Sequence, residues 1–348
     1  MERHDVAIIG GGIAGLTLAK FLAEYGIDFV LLEEHKDFFM KACGEGIIPY
    51  MMGYNFFDLY ESRAGIEKEV DDIIIYMKYG ELELYMPVLM TNKKEIESEL
   101  AKQAIKKGAD IRMNEKVKKI EKGKNVVIMP QNIEVKLLVG ADGFFSLTRK
   151  YIGIKQPRYA IAVEGLSNDI NLNKNKIHVE FKKDVVKYGY SWFFPKKRAW
   201  NIGIGSFNPK EFKKNYEKFK KNYEVDRWKA GYLPISKPLK AYGKNAILVG
   251  DAASQTNASI GAGNMTSMIC ANIAANVIKN FSNKNFFDID LSEYEKALQK
   301  IRKALSHEYN FTFIFHKVIK SEYIRYKILK KFIKETSEYY KKLEKGRD

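Results

Sequence analysis

The chain has 348 residues, 46% of them hydrophobic and 29% charged, which fits a folded soluble protein with a large core in two lobes. Its net charge of +16 invites a nucleic-acid partner, but there is no zinc-knuckle, RNP-type or helix-turn-helix signature, so no nucleic acid is expected. Only Cys43 and Cys270 occur, which excludes a disulfide framework and points to a reducing, cytoplasmic compartment.

From the N-terminus, DVAIIGGGIAGLTLAKFLAEYGIDFVLLEE (5–34) predicts a strand, a glycine turn, an amphipathic helix and a second strand. Gly10 permits the turn, Gly12 lets backbone amides approach a pyrophosphate, and Gly15 lets helix and strand pack closely. The phosphates then lie at the positive end of the helix dipole, beside Ala14. Glu33 ends the second strand, where a carboxylate accepts both ribose hydroxyls of a dinucleotide, and Glu34 follows it. Glycines dominate this apolar start and Lys20 interrupts it, so it does not read as a signal peptide. No run in the chain nears the ~18 uninterrupted apolar residues of a membrane span.

KACGEGIIP (41–49) sets Cys43 and Glu45 among Gly44 and Gly46, in the loop after the second strand. A helix follows within 91–111, with Ile96, Leu100, Ala104 and Ile105 on one face and Lys93 near its start. IEVKLLVGADGFFSLTRKYIG (133–153) reads as a strand, a turn bearing Asp142 and Gly143, and a short helix. Strand-like runs fill 157–205, ending in YGYSWFFPKKRAWNIGIG. There Tyr190, Trp192 and Phe194 alternate, so all three face one way; Pro195 ends their strand, and Gly203 and Gly205 leave room on its neighbour. AILVGDAASQTNASIGAGNMTSMICANIAANVI (246–278) repeats the strand–turn–helix design with Gly250 and Asp251, then Gly261, Ala262, Gly263 and Asn264 ahead of a helix that buries Cys270.

VGADGFFSLTR and ILVGDAA resemble the second and third fingerprints of the para-hydroxybenzoate hydroxylase-type FAD fold. YSWFFP, seven residues and then GIG, paired with KACGEGIIP, resembles the two signatures of the geranylgeranyl reductase family. That resemblance covers residues 5–270. It implies an α/β fold with a discontinuous Rossmann-like FAD-binding domain (1–50, 90–156 and 240–283), an antiparallel β-sheet substrate domain (51–89 and 157–239) and a helical C-terminal region (284–348). It implies FAD contacts from Asp251 and the Gly261–Gly263 stretch, and it places Cys43 close to the flavin. The family carries an arginine near the start of the 91–111 helix, where this chain has Lys93.

The implied activity is saturation of C=C bonds in a polyprenyl lipid by flavin hydride and a proton. Tyr190, Trp192 and Phe194 then form an aromatic wall that buries an isoprenoid chain at ~0.8 kcal/mol per CH₂ and steadies developing positive charge by ~0.5–2 kcal/mol. Cys43 is a proton donor or a redox partner, with Glu45 the second candidate acid. An oxygen-using hydroxylase or halogenase on the same fold, and an electron-transfer flavoprotein acting on a quinone, stay open. So does the electron donor, NAD(P)H or ferredoxin, and no metal is expected.

The chain ends in helices. Residues 291–348 hold 15 Lys and Arg against 8 Asp and Glu. Ile324, Ile328 and Phe332 give one helix an apolar face among Lys327, Lys330 and Lys331, which either packs on the FAD domain or lies peripherally on the inner face of the membrane. The basic surplus also suits an acidic electron carrier. The Lys-, Ile- and Tyr-rich composition points to an archaeal-like source.

Overall fold

A computed structural model describes residues 1–123, 125–186, 188–287 and 289–345. Strand β1 (Glu2–Ile9) runs into the glycine turn, helix α1 (Ile13–Glu24) and β2 (Phe29–Leu32), as the spacing predicts. The short strands β3 (Gly46–Ile47), β4 (Tyr50–Met51) and β5 (Tyr54–Asn55) and helix α2 (Phe56–Tyr60) precede a long hairpin, β6 (Ile66–Met77) and β7 (Gly80–Thr91). Helix α3 (Lys93–Lys106) and β8 (Asp110–Arg112) return to the first sheet. There β9 (Lys119–Lys122), β10 (Val126–Met129), β11 (Ile133–Gly140) and α4 (Leu147–Tyr151) follow.

The chain then builds β12 (Tyr159–Ser167), β13 (Lys176–Glu180), β14 (Gly189–Pro195), β15 (Trp200–Ser206), α5 (Pro209–Lys220) and β16 (Lys229–Pro234). It comes back through β17 (Tyr242–Gly243), β18 (Ala246–Leu248) and the long helix α6 (Asn264–Ser282). Helices α7 (Ser292–Ala297), α8 (Gln299–Phe313) and α9 (Glu322–Lys345) close the chain.

Two sheets organise the molecule. The first has the order β17-β18-β11-β1-β2-β8, with the β9–β10 hairpin on β11. Strands β18, β11, β1, β2 and β8 pair in parallel, the Rossmann-like arrangement expected. Leu16 and Leu18 of α1, Leu100 of α3 and Met268 of α6 meet on one of its faces. Parallel strands covered in this way read as continuous apolar runs, hence VAII and FVLL.

The second sheet has the order β16-β12-β15-β14-β13-β6-β7-β3. It is antiparallel except for the β6–β13 pair, which is parallel. Its strands come from two distant stretches of sequence, and β3, drawn from the 1–50 stretch, joins it through Gly46↔Met90 and Ile47↔Leu89. The loop carrying Cys43 therefore spans from one sheet to the other.

Two expectations need correcting. Ile105 lies off the buried face of α3 and is 54% exposed, whereas Ile96, Leu100 and Ala104 are buried. Five residues of helix turn the chain about 140° from Leu100, which carries Ile105 out to solvent. The C-terminal region also divides: Tyr294, Leu298, Ile301 and Leu305 pack into the core of the first sheet, but α9 packs on the second. It does so through Leu329, Ile333 and Tyr340, leaving Ile324 50% and Phe332 39% exposed.

Candidate active site

A cavity of about 360 Å³ lies between the two sheets and takes walls from both. On the side of the first sheet the glycines divide their work. A Cβ on Gly15 would stand 1.9 Å from Gly10 O, and one on Gly10, at φ +105°, would stand 2.4 Å from Ala141 O. These two glycines allow the backbone to close-pack and do not line the cavity. Gly12 has open space where its Cβ would be, and it lines the cavity with Ala14. Glu33 is buried at the end of β2; its Oε2 accepts from Gly11 N at 2.6 Å and its Oε1 from His35 N at 2.9 Å. Glu34 turns outward to Lys116 Nζ at 2.5 Å, so the structure does not bring it to the site.

Helices α1 and α6 start at Gly12 and Gly263, and neither has a side-chain cap. By contrast, Asn55, Asn92, Ser146 and Asn208 cap α2, α3, α4 and α5. Uncapped N-termini leave N–H donors and a positive dipole end, which suits an anionic ligand. Both ends face the cavity, through Gly12–Ala14 and through Gly261, Ala262, Gly263 and Asn264.

Asp251 lies between these ends, with Oδ1 accepting from Thr256 Oγ1 at 2.8 Å and Oδ2 paired with Lys41. Burial alone would raise its carboxyl; Lys41, Thr256 and Lys93 outweigh that and hold it below the usual range. Lys93 is buried on the cavity wall, 3.5 Å from Glu97. Burial pulls its ammonium down, and Glu97, Cys43 and Asp251 offset this to leave it raised. Asp142 and Gly250 stand behind the wall. Asp142 Oδ2 accepts from Thr148 N at 2.9 Å, and burial pushes its carboxyl up, while its neighbours Ala141 and Gly143 line the cavity. Gly250, at φ +68°, donates its N–H to Gln255 Oε1 at 2.7 Å.

On the side of the second sheet, Tyr190, Trp192 and Phe194 line the cavity together, with ring centroids 6.0 and 6.2 Å apart. Tyr190 donates to Ile260 O at 2.6 Å, and burial pushes its phenol up to about 12. Gly205 lines the cavity, but Pro195 and Gly203 do not. Gly203 seats Trp192: a Cβ there would fall 2.2 Å from Trp192 Cζ2. Trp200 points the other way into a separate core with Phe193, Ile202 and Phe212, because successive strand residues face opposite sides. Beyond the aromatic wall the lining is aliphatic, including Ile73, Ile75, Leu84, Val88 and Ile177.

Cys43 lines the cavity with Gly44; its Sγ accepts from Glu45 N at 3.3 Å and from Asn264 Nδ2 at 3.6 Å. Glu45 also lines it, at φ +61°, but both of its carboxylate oxygens are engaged. Oε1 accepts from Lys93 N at 2.8 Å and Oε2 from Lys196 Nζ at 3.1 Å. Cys270 is fully buried on α6, as expected for a core residue.

Sequence reasoning missed Lys41, Lys196, Asn201 and Glu164. The two lysines and Asn201 carry no motif of their own. Glu164 did leave a signal: a lone carboxylate in YAIAVEGLS, on the face shared with Ala160 and Ala162.

The residues present fit FAD. Two uncapped helix ends, the open backbone at Gly12, Asp251 and Gly261–Asn264 line one cavity, and a buried acid, Glu33, bonds the backbone of the glycine turn at Gly11. Comparison with known proteins agrees. A family model described as an FAD binding domain matches residues 3–232. The chain is similar to digeranylgeranylglycerophospholipid reductases of Methanococcus vannielii (26% identical, covering 92% of this chain and 89% of the relative) and Thermoplasma acidophilum (27%, covering 86% and 84%). Among solved structures, a geranylgeranyl bacteriochlorophyll reductase-like protein from Thermoplasma acidophilum superposes with a TM-score of 0.82 at 23% identity, covering 97% of this chain and 92% of that one. A myxobacterial chondrochloren halogenase shares the fold at a TM-score of 0.72 and 16% identity, covering 97% and 91%. The chain belongs to this FAD-binding-domain family and is an FAD-dependent oxidoreductase.

Proposed function

We propose that the protein saturates C=C bonds of a geranylgeranyl lipid, in the synthesis of isoprenoid membrane lipids. One observation carries this: a single cavity joins the open backbone at Gly12 and the start of α6 at Gly263 to a wall of Tyr190, Trp192, Phe194 and aliphatic side chains. Such a wall suits an isoprenoid chain and offers little to a polar aromatic substrate. Curated relatives named as reductases of a geranylgeranyl glycerophospholipid support the same substrate class. FAD supplies the hydride when bound. The protein's own residues then have separable tasks. Tyr190, Trp192 and Phe194 hold the chain and exclude water, Cys43 stands against its reacting end, and Glu45 fixes the Cys43 loop to Lys93 and Lys196.

A lipid must also reach the cavity. No helix among the described residues is long and apolar enough to cross a membrane. The exposed Phe313, Ile314, Val318, Tyr323 and Ile324, set among Lys317, Lys320 and Lys327, form the surface that would rest on anionic headgroups. The test of function is mass spectrometry of a geranylgeranyl lipid incubated anaerobically with the reduced holoenzyme. A gain of two hydrogens per double bond is expected. A product carrying new oxygen or halogen, or an absolute need for oxygen, would overturn the proposal.

A further inference from the structure

Saturating an alkene needs a proton as well as a hydride, and most titratable groups around the cavity are already committed. Asp251 is paired with Lys41, Lys93 with Glu97, and Glu45 with Lys196 and the N-terminus of α3. Tyr190 already donates to Ile260 O. Glu164 differs from all of these. It lines the cavity, is only 4% exposed, and has no ion-pair partner of its own among the described residues.

Its neighbours aim it. Glu164, Gly203 and Trp192 lie side by side in one row across β12, β15 and β14. With no side chain on Gly203, the indole of Trp192 covers that gap and donates Nε1–H to Asn201 Oδ1 at 2.9 Å. An indole nitrogen only donates, so this bond fixes which way the Asn201 amide points. Asn201 Nδ2 is thereby turned toward Cys43 O at 3.0 Å and Glu164 Oε2 at 3.3 Å. The backbone N–H of Cys43 also faces the carboxyl. Trp192 thus locks the Cys43 loop and Glu164 together.

Resting on the function proposed above, we propose that Glu164 is the acid of this cavity, giving its proton to the alkene carbon next to the one that receives hydride. The π electron pair forms the new C–H bond to that proton, and the O–H pair stays on Glu164 as a carboxylate. Reduced FAD, when bound, would supply the hydride for the other carbon, and Glu164 is reprotonated from water.

The charged groups facing it oppose one another. Burial favours the neutral acid, Lys229 on β16 and Lys196 after β14 favour the carboxylate, and Glu45 favours the acid. The balance lifts the carboxyl to about 7, so a large share is protonated near neutrality.

The test uses the FAD-loaded protein and Glu164→Gln, which keeps shape and removes the acid. Infrared difference spectra between pH values one unit either side of about 7 should show a buried carboxylic-acid band in the wild type that is lost in Glu164→Gln. Anaerobic single-turnover reduction of a geranylgeranyl lipid should slow by about 10²–10⁴-fold in Glu164→Gln with lipid affinity unchanged, and Glu164→Asp should recover part of the rate. The wild-type rate should fall as pH rises through about 7. A wild type that saturates the lipid while Glu164→Gln matches its rate and pH profile would overturn the assignment of Glu164 alone. A wild type that leaves the lipid unchanged would overturn the function on which it rests.

Discussion

Gly203 and Trp192 face each other across β15 and β14, and a Cβ on Gly203 would stand 2.2 Å from Trp192 Cζ2 and 2.5 Å from Val163 O. One of those atoms is backbone and the other belongs to a buried indole, so neither yields cheaply. Gly203→Ala is therefore expected to cost about 1–3 kcal/mol or more and to push Trp192 off Asn201. Denaturant unfolding checks the first effect. Loss of lipid turnover with FAD still bound checks the second.

Trp192 has a packing role and a hydrogen-bonding role, and two substitutions separate them. Trp192→Ala empties a site that is 6% exposed and should cost about 3–5 kcal/mol. Trp192→Phe keeps much of the ring but frees Asn201 Oδ1, so it should lose less stability than turnover. Full turnover in Trp192→Phe, with stability loss confined to Trp192→Ala, would reduce Trp192 to a packing residue.

The parts of this site that were legible in the sequence are those fixed by local rules. Glycine spacing announced the turn at Gly10–Gly15, and period-two alternation placed Tyr190, Trp192 and Phe194 on one face. What stayed hidden depends on partners far apart in the chain. Glu45 and Lys196, Lys41 and Asp251, and Asn201 and Cys43 meet where the loop ahead of β3 spans from one sheet to the other. The place of Asp142 was hidden for a related reason: its motif marks a turn at the cavity wall, and its Oδ2 accepts from Thr148 N at the start of α4. Helix periodicity found an apolar stripe on α9 but not which of two stripes is buried, since both Ile324–Phe332 and Leu329–Ile333 are apolar.

At the adenosine end, Glu33→Ala should leave the fold intact and weaken FAD retention. The carboxylate accepts from Gly11 N at 2.6 Å and His35 N at 2.9 Å, ribose hydroxyls would add to these bonds, and hydrogen bonds to a charged group contribute about 1.5–3 kcal/mol each. Flavin absorbance after extensive dialysis measures the loss. Full retention in Glu33→Ala would remove Glu33 from the cofactor site.

The C-terminal surface makes a separate prediction. Ile324→Glu places a charge on an exposed position of α9 and should not disturb the Leu329–Ile333 contact with the second sheet. Binding to vesicles of anionic lipid should drop in this variant and should weaken with added salt for the wild type. Turnover of a detergent-solubilised lipid should be unchanged. Wild-type protein that ignores such vesicles would leave these helices as packing elements only.

Glu164 also makes stability depend on pH, with a defined sign. Its carboxyl is lifted from 4.5 to about 7 in the folded protein, chiefly by burial. Below pH 4.5 both states hold the proton and Glu164 imposes no penalty. From there up through about pH 7 the folded state keeps a proton that the unfolded chain has released, so stability falls as pH rises. Above about 7 the buried carboxylate carries the full penalty, about 3 kcal/mol for a shift of this size. Glu164→Gln cannot ionise and escapes it. The difference in unfolding free energy between Glu164→Gln and wild type, followed by urea titration, should therefore move in favour of the variant between pH 5 and pH 8. A difference that stays flat across that range would mean that Glu164 ionises as easily in the folded protein as in the unfolded chain, and its place as the proton-holding group of the cavity would be lost.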